Sequence, residues 1–240
     1  MRRHALALIL ILSPCLARGG VSYDVSSWTS ALSPEISPYI SHYQVQDGNV
    51  RMADDRIKLV TIFRKDWKRI SVDSTAGISV VQTNATNQWL VKHYEADAYL
   101  SKLVPALQEP PFIAAALTGR SERVFGLACR VWKLAEYDGN ALEICVAPSS
   151  SVPGGNEILG GLETLSAFHD TALYGIGIGL RPLQDWWTTL KRLDGVPIRF
   201  REFRGALVVS EMTLFDVREE KVCPGAFEAP MEHKVRTLDQ

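Results

Sequence analysis

Two cysteines, Cys129 and Cys145, stand on either side of a turn-like EYDGN in the stretch GLACRVWKLAEYDGNALEICVA. Such a pair could hold zinc, run redox exchange, act as a nucleophile, or clamp a hairpin. A zinc site wants a CxxC or CxxxC knuckle with further Cys or His ligands, and neither cysteine has such a neighbour. A redox pair of the thioredoxin type needs CxxC opening a helix, which is absent. The hairpin clamp remains, and strand register tests it. If Asp138-Gly139 alone made the turn, the two cysteines would point to opposite faces. With the longer loop Ala135 to Gly139, Cys129 sits directly opposite Cys145, Trp132 faces Leu142, Arg130 faces Ile144, Val131 meets Glu143 and Lys133 meets Ala141. Directly opposite residues lie about 4.5–5.5 Å apart at Cβ, close enough for modest twist to close a disulfide. Such a bond would contribute on the order of 3 kcal/mol by the chain-entropy model. Cys223, in KVCPGAF, is expected as a buried free thiol, with linkage to a second chain or exchange with the hairpin pair as alternatives.

Other chemistry-bearing residues converge less. His169-Asp170 tempts as an acid–base pair, but residues adjacent on a helix lie on different faces, so a solvated polar pair is the expectation. His93 and His42 each precede a tyrosine, and no spacing joins either to a carboxylate. Asp54-Asp55 and Glu219-Glu220 read as exposed charges at strand ends. The sequon at Asn84 reads as a turn outside a eukaryotic secretory host. No GxSxG, HExxH, P-loop or complete GxGxxG occurs, and GIGIG at 175–179 follows a helical stretch, so it reads as a flexible connection. The chain is therefore read as non-enzymatic, with no cofactor and no metal. Of the adjacent Trp186-Trp187, one must point away from the core, a hint of a binding face.

The elements that would position these residues are mostly strands. YQVQDGNVRM, residues 43–52, is a hairpin on an Asp-Gly type I′ turn. It pairs Tyr43 with Met52, Gln44 with Arg51, Val45 with Val50 and Gln46 with Asn49, apolar on one face and polar on the other. Strands rich in β-branched and aromatic residues follow at 57–63, 69–73, 78–82 and 89–94, separated by turn segments such as RKDW, STAG and NATN. EADAYLSKLV has helical spacing and stops at Pro105. Asn156 is expected to cap a helix with Ile158, Leu162, Leu165, Phe168 and Leu173 on one stripe. A second short helix is expected from Pro182 through Trp186 and Leu190 to near Gly195. VPIRFREF, a turn at Arg204-Gly205 and ALVVSEMTLFDV return the chain to strand. The sum is an α+β, mainly β chain, with an antiparallel sheet and two or three helices against one face.

The N-terminus sets the compartment. Arg2 and Arg3 precede a compact apolar run, ALALILIL, and small residues follow, with Cys15 and Ala17 placed for cleavage after Ala17. The run is too short to span a bilayer, and no other segment approaches the ~18 apolar residues a span needs. Acylation of Cys15 in LSPC is the rival, disfavoured by the proline directly before the cysteine. Residues 1–17 are thus read as a signal peptide and 18–240 as one domain, periplasmic or secreted, where disulfides persist. Removing two of 26 basic residues leaves 24 against 27 acidic, a formal charge of −3, with no basic stripe for nucleic acid.

The DGNVR-type hairpin, the GLACRVW strand, the strand ending EICVA, GVPIRF at 195–200 and the closing FEAP together resemble a bacterial family of exported proteins. That family is related to the Lol lipoprotein carriers (LolA/LolB-like) and their regulatory-sensor relatives. The resemblance implies a strongly curved half-barrel with helices on its concave side and an apolar cavity between them. Residues 162, 165, 168 and 186 (Leu162, Leu165, Phe168 and Trp186) would line that cavity. The implied occupant is a lipid, an acyl chain or a hydrophobic peptide, so the chain would carry or sense a hydrophobic ligand. The alternative is an envelope interaction module with a packed interior, whose partner is another protein.

Overall fold

The Asp47-Gly48 turn is where local chemistry and fold agree most closely. Both residues have positive φ, 52° and 77°, as a type I′ turn requires. The strands it joins, β2 (Tyr39–Gln46) and β3 (Asn49–Asp54), pair Tyr43 with Met52 and Val45 with Val50, the expected register. The computed structural model describes residues 18–30, 38–54, 58–83, 114–135, 141–172 and 193–238.

Ten further strands join this hairpin: β1 (Arg18–Thr29), β4 (Leu59–Phe63), β5 (Arg69–Asp73), β6 (Ile78–Gln82), β7 (Ala114–Val124), β8 (Leu127–Ala135), β9 (Ala141–Ala147), β10 (Val196–Arg204), β11 (Leu207–Val222) and β12 (Lys234–Thr237). They form one sheet in the order β12-β6-β5-β4-β3-β2-β1-β11-β10-β9-β8-β7. Every pairing is antiparallel except β12 on β6, which is parallel and makes the sheet mixed. The expected strand at 57–63 begins only at Leu59, because Lys58 takes positive φ (49°) and turns the chain. The strand expected at 89–94 and the helices expected at 95–104 and 182–195 lie outside the described residues, as do GIGIG and Asn84.

Register shifts interrupt the ladders of β1 with β11, β10 with β11, β10 with β9, and β7 with β8. Each bulge adds local twist, which is how a long sheet coils. At Asp216 the bulged residue sits at φ 49°. Side chains of β8 and β9 enter two clusters from opposite faces. Cys129, Val131 and Cys145 join one core cluster, while Leu134, Ile144 and Val146 join another with Trp132 and Phe200.

The helix α1 (Gly155–Ala172) packs on β1 to β4 and β10. It starts one residue ahead of Asn156, with the Ile158 amide donating to Gly154 O, so Asn156 is not its cap. Ile158 is fully buried in the main cluster, and Leu159, Leu162 and Leu165 pack against that cluster. The opposite face of β3 to β6 is not wet as the alternation implies. Ile62, Ile70 and Val72 are buried there with Phe227, from the short 3-10 turn Pro224–Phe227. Gln46, on the polar side of the first hairpin, is only 2% exposed.

Candidate functional site

The helix side of the sheet is where the apolar residues gather. Gly161 of α1 brings the helix onto the hairpin, since a Cβ there would lie 2.8 Å from Val45 Cγ1 and 3.1 Å from Val50 Cγ2. Two polar contacts fix the approach. Thr164 Oγ1 donates to Gly48 O at 2.6 Å, and the Asp47 amide donates to Glu157 Oε2 at 3.0 Å. Glu157 stands in the first turn, where a carboxylate is favoured by the helix dipole. Beneath, Tyr23 and Tyr43 stack with centroids 5.0 Å apart. Burial, then Tyr39 and Asp54, push the Tyr43 phenol up to about 12, and burial raises Tyr23 further, so both stay neutral.

At the far end of α1, Phe168 meets two aromatic rings from the sheet. Phe63 on β4 contacts it edge-on at 5.4 Å, and Trp67 lies at 5.9 Å. Trp67 occupies the turn between β4 and β5 at φ 64°, a conformation that is strained for a bulky residue. Arg69 stands directly opposite Phe63 on β5, with its guanidinium 5.7 Å from the Phe63 ring centroid. Its Nε is buried without a hydrogen-bond partner. Burial pulls the guanidinium below its ordinary pKa.

A second apolar feature crosses the sheet. Direct cross-strand pairs join Leu117 to Trp132, Trp132 to Ile144, Ile144 to Phe200, Phe200 to Met212, Met212 to Ser27 and Ser27 to Tyr39. This row runs over seven strands, from β7 to β2, and through Ser27 it shares the β1 face of Tyr23 and Val25. Ile144 is fully buried, while Leu117 and Met212 remain 48% and 40% exposed. Leu117 and Met212 therefore present apolar surface to solvent on a row whose other members are buried or half-buried.

Of the four residues expected to line a cavity, Leu162 and Leu165 pack against the core and Phe168 is buried in the aromatic group. Trp186 lies outside the described residues. His169 and Asp170 are on the last turn of α1, with side chains outside the described residues. His42 does have a carboxylate: Asp24, across β1, lies 2.7 Å from its Nδ1, a partner that local spacing could not reveal. Glu219 and Glu220 are engaged rather than free, accepting from the Gly154 amide and from Gln44 Nε2. They and Glu157 border an open cleft of about 460 Å³ with Gly19, Gly20, Gly154 and Lys221. Among the described residues no cluster of His, Cys, Asp and Glu could hold a metal.

Cys129 and Cys145 are disulfide-bonded, with Cα atoms 5.4 Å apart. Their register differs from the expected one by two residues, because Cys145 faces Val131, Ile144 faces Trp132, Leu142 faces Leu134, Lys133 faces Glu143 and Val146 faces Arg130. The cysteines thus join diagonally, and the loop is 136–140 rather than Ala135 to Gly139. Cys223 is not a free thiol but disulfide-bonded, to a partner outside the described residues.

No family model and no curated protein matches the chain. Among solved structures, a conserved protein of Thermus thermophilus is similar at 9% identity and a TM-score of 0.45, covering 92% of this chain and 91% of that one. PNGF-II aligns at 10% identity and a TM-score of 0.42, covering 92% of this chain and 31% of its own. The Pseudomonas aeruginosa MucA/MucB complex gives 11% identity and a TM-score of 0.43, covering 92% of this chain and 59% of that chain. Nothing about activity or partner follows from these likenesses.

Proposed function

We propose that this is an exported, non-enzymatic protein of the bacterial envelope that holds a hydrophobic occupant, a lipid or acyl chain, on the apolar row that crosses its sheet from β7 to β11. What supports the reading is the row Leu117–Trp132–Ile144–Phe200–Met212, with its two half-exposed ends. Surface of that kind binds apolar chains with little demand for directional polar contacts. A second reading, a protein-interaction module with a filled interior, is favoured by the packing of Leu162 and Leu165 into the core. Export is supported by the N-terminal pattern and by the Cys129–Cys145 bond. Among the described residues no helix is long and apolar enough to cross a membrane.

The test is to express the chain with its N-terminal segment, recover it from the periplasm without reductant, and weigh it natively and after denaturation. A hydrophobic adduct released by denaturation supports carriage. A bare chain from several hosts, with a co-purifying protein, favours the interaction module. The denatured mass also reads export, because cleavage after Ala17 removes Cys15 and leaves three of the four cysteines.

A further inference from the structure

Arg69, on the helix side, has no ion-pair partner among the described residues. Its Nε is buried and without a hydrogen-bond partner. The neighbouring acids are committed elsewhere. Asp66 pairs with Arg64 and Lys68, Glu228 pairs with Arg64, and Asp73 accepts from the Thr75 and Ala76 amides. A half-buried guanidinium without an anion is costly, and it persists where a ligand completes it. The surroundings are apolar on the same side: Phe63 directly opposite, Phe168 on that ring's edge, and Trp67 held at positive φ so that its indole reaches Phe168. A planar fork of donors over the Phe63 ring, with Trp67 part-exposed in the adjoining turn, suits a carboxylate or phosphate attached to an apolar chain.

We propose that Arg69 receives the anionic head of an amphiphile whose adjoining carbon chain lies against Phe63 and Trp67. This rests on the hydrophobic-ligand reading above and adds a polar-headed position on β4 and β5, several strands away from the β7–β11 row. A cationic or neutral head would leave the guanidinium unpaired, so the site discriminates by head-group charge and not only by chain length.

The experiment is a calorimetric titration of the full protein, stripped of bound lipid, with decanoate, decanol and acetate. Wild type should bind decanoate about ten-fold more tightly than decanol, and acetate more weakly than either. Arg69→Gln should bring decanoate down to the decanol affinity while decanol binding stays unchanged. Because the substitution removes an unpaired buried charge, the variant should melt at or above the wild-type temperature, which separates lost binding from lost folding. Equal binding of decanoate and decanol by wild type would overturn the inference and leave the hydrophobic-ligand reading standing. So would Arg69→Gln retaining the preference. Acetate binding as tightly as decanoate would reduce the site to a simple anion site and overturn it too. Binding of none of the three would remove both readings together.

Discussion

Glu122 and Arg199 stand on strands separated by two others, and their side chains meet across the Cys129–Cys145 disulfide. Glu122 on β7 is opposite Cys129 on β8, and Arg199 on β10 is opposite Cys145 on β9. The two charged groups form an ion pair, with Arg199 itself buried. Arg120 adds a bridge from β7 to Glu143 on β9. The ion pairs thereby bridge β7 to β10 and β7 to β9, and the disulfide joins β8 to β9 between them.

The ion pair gives the protein an acid limb. Its hydrogen bond from Arg199 holds the Glu122 carboxyl below its ordinary value, against a smaller opposing effect of burial. A depressed carboxyl stabilises the fold above its unfolded pKa, and that contribution is lost as pH falls through the folded pKa. Melting temperature should therefore drop below the ordinary glutamate range, about pH 4.3. In Glu122→Gln the drop should be shallower and stability at neutral pH lower. An unaltered pH profile in the variant would show that other carboxyls carry the acid limb.

The disulfide beneath should matter on its own. Replacing Cys129 and Cys145 together by alanine should lower unfolding stability by about 3 kcal/mol, read from the urea midpoint. Both sulfurs are in side chains no more than 3% exposed, so reductant reaches them only through opening of the strands. Arg199→Met should accordingly accelerate reduction by dithiothreitol, followed by thiol trapping and mass. Equal reduction rates would mean that the ion pair does not hold this end of the sheet closed.

Two consecutive glycines on α1 should respond with opposite signs. At Gly160 the nearest atom to an added Cβ is Gly48 Cα at 3.8 Å, an ordinary contact, so Gly160→Ala should gain up to about 1 kcal/mol from helix propensity. At Gly161 the added methyl meets Val45 at 2.8 Å and Val50 at 3.1 Å, inside a buried cluster. Gly161→Ala should destabilise by roughly 1–3 kcal/mol as the helix is forced off the hairpin. Chemical denaturation of the two variants decides it, and equal shifts would mean that α1 does not rest on this contact.

These contacts mark where the sequence was readable. The Asp47-Gly48 hairpin was, because turn chemistry and alternation both act over ten residues and agree. The faces of the cysteine strands were readable too, while their register was not: a five-residue loop permits shifts of two that keep every side chain on its face. The polar side of the first hairpin misled, since its cover comes from Phe227, far along the chain. β1 went unread because Val21, Tyr23 and Val25 alternate among glycines and serines directly after an apolar leader-like run. The Arg69 group was unreadable for a simpler reason. RKDW reads as a turn, and only the folded chain brings Phe168 to it, 101 residues beyond Trp67 in sequence.

Trp67 offers the sharpest check on that group, because backbone strain and side-chain contact can be separated there. At φ 64° an L-residue sits in the left-handed region, which costs roughly 1–2 kcal/mol, whereas glycine enters it freely. Trp67→Ala and Trp67→Gly lose the same contact with Phe168 and differ mainly at the backbone. The glycine variant should therefore be the more stable of the two by about 1 kcal/mol, the reverse of the order at an ordinary strand or helix position. Trp67→Phe should keep both the strain and part of the ring contact, and fall below wild type by less than Trp67→Ala does. Urea unfolding of the three variants reads all of this from one curve each. If alanine equals or exceeds glycine, the turn is not held in the left-handed region, and the indole is not being presented to Phe168 at the backbone's expense.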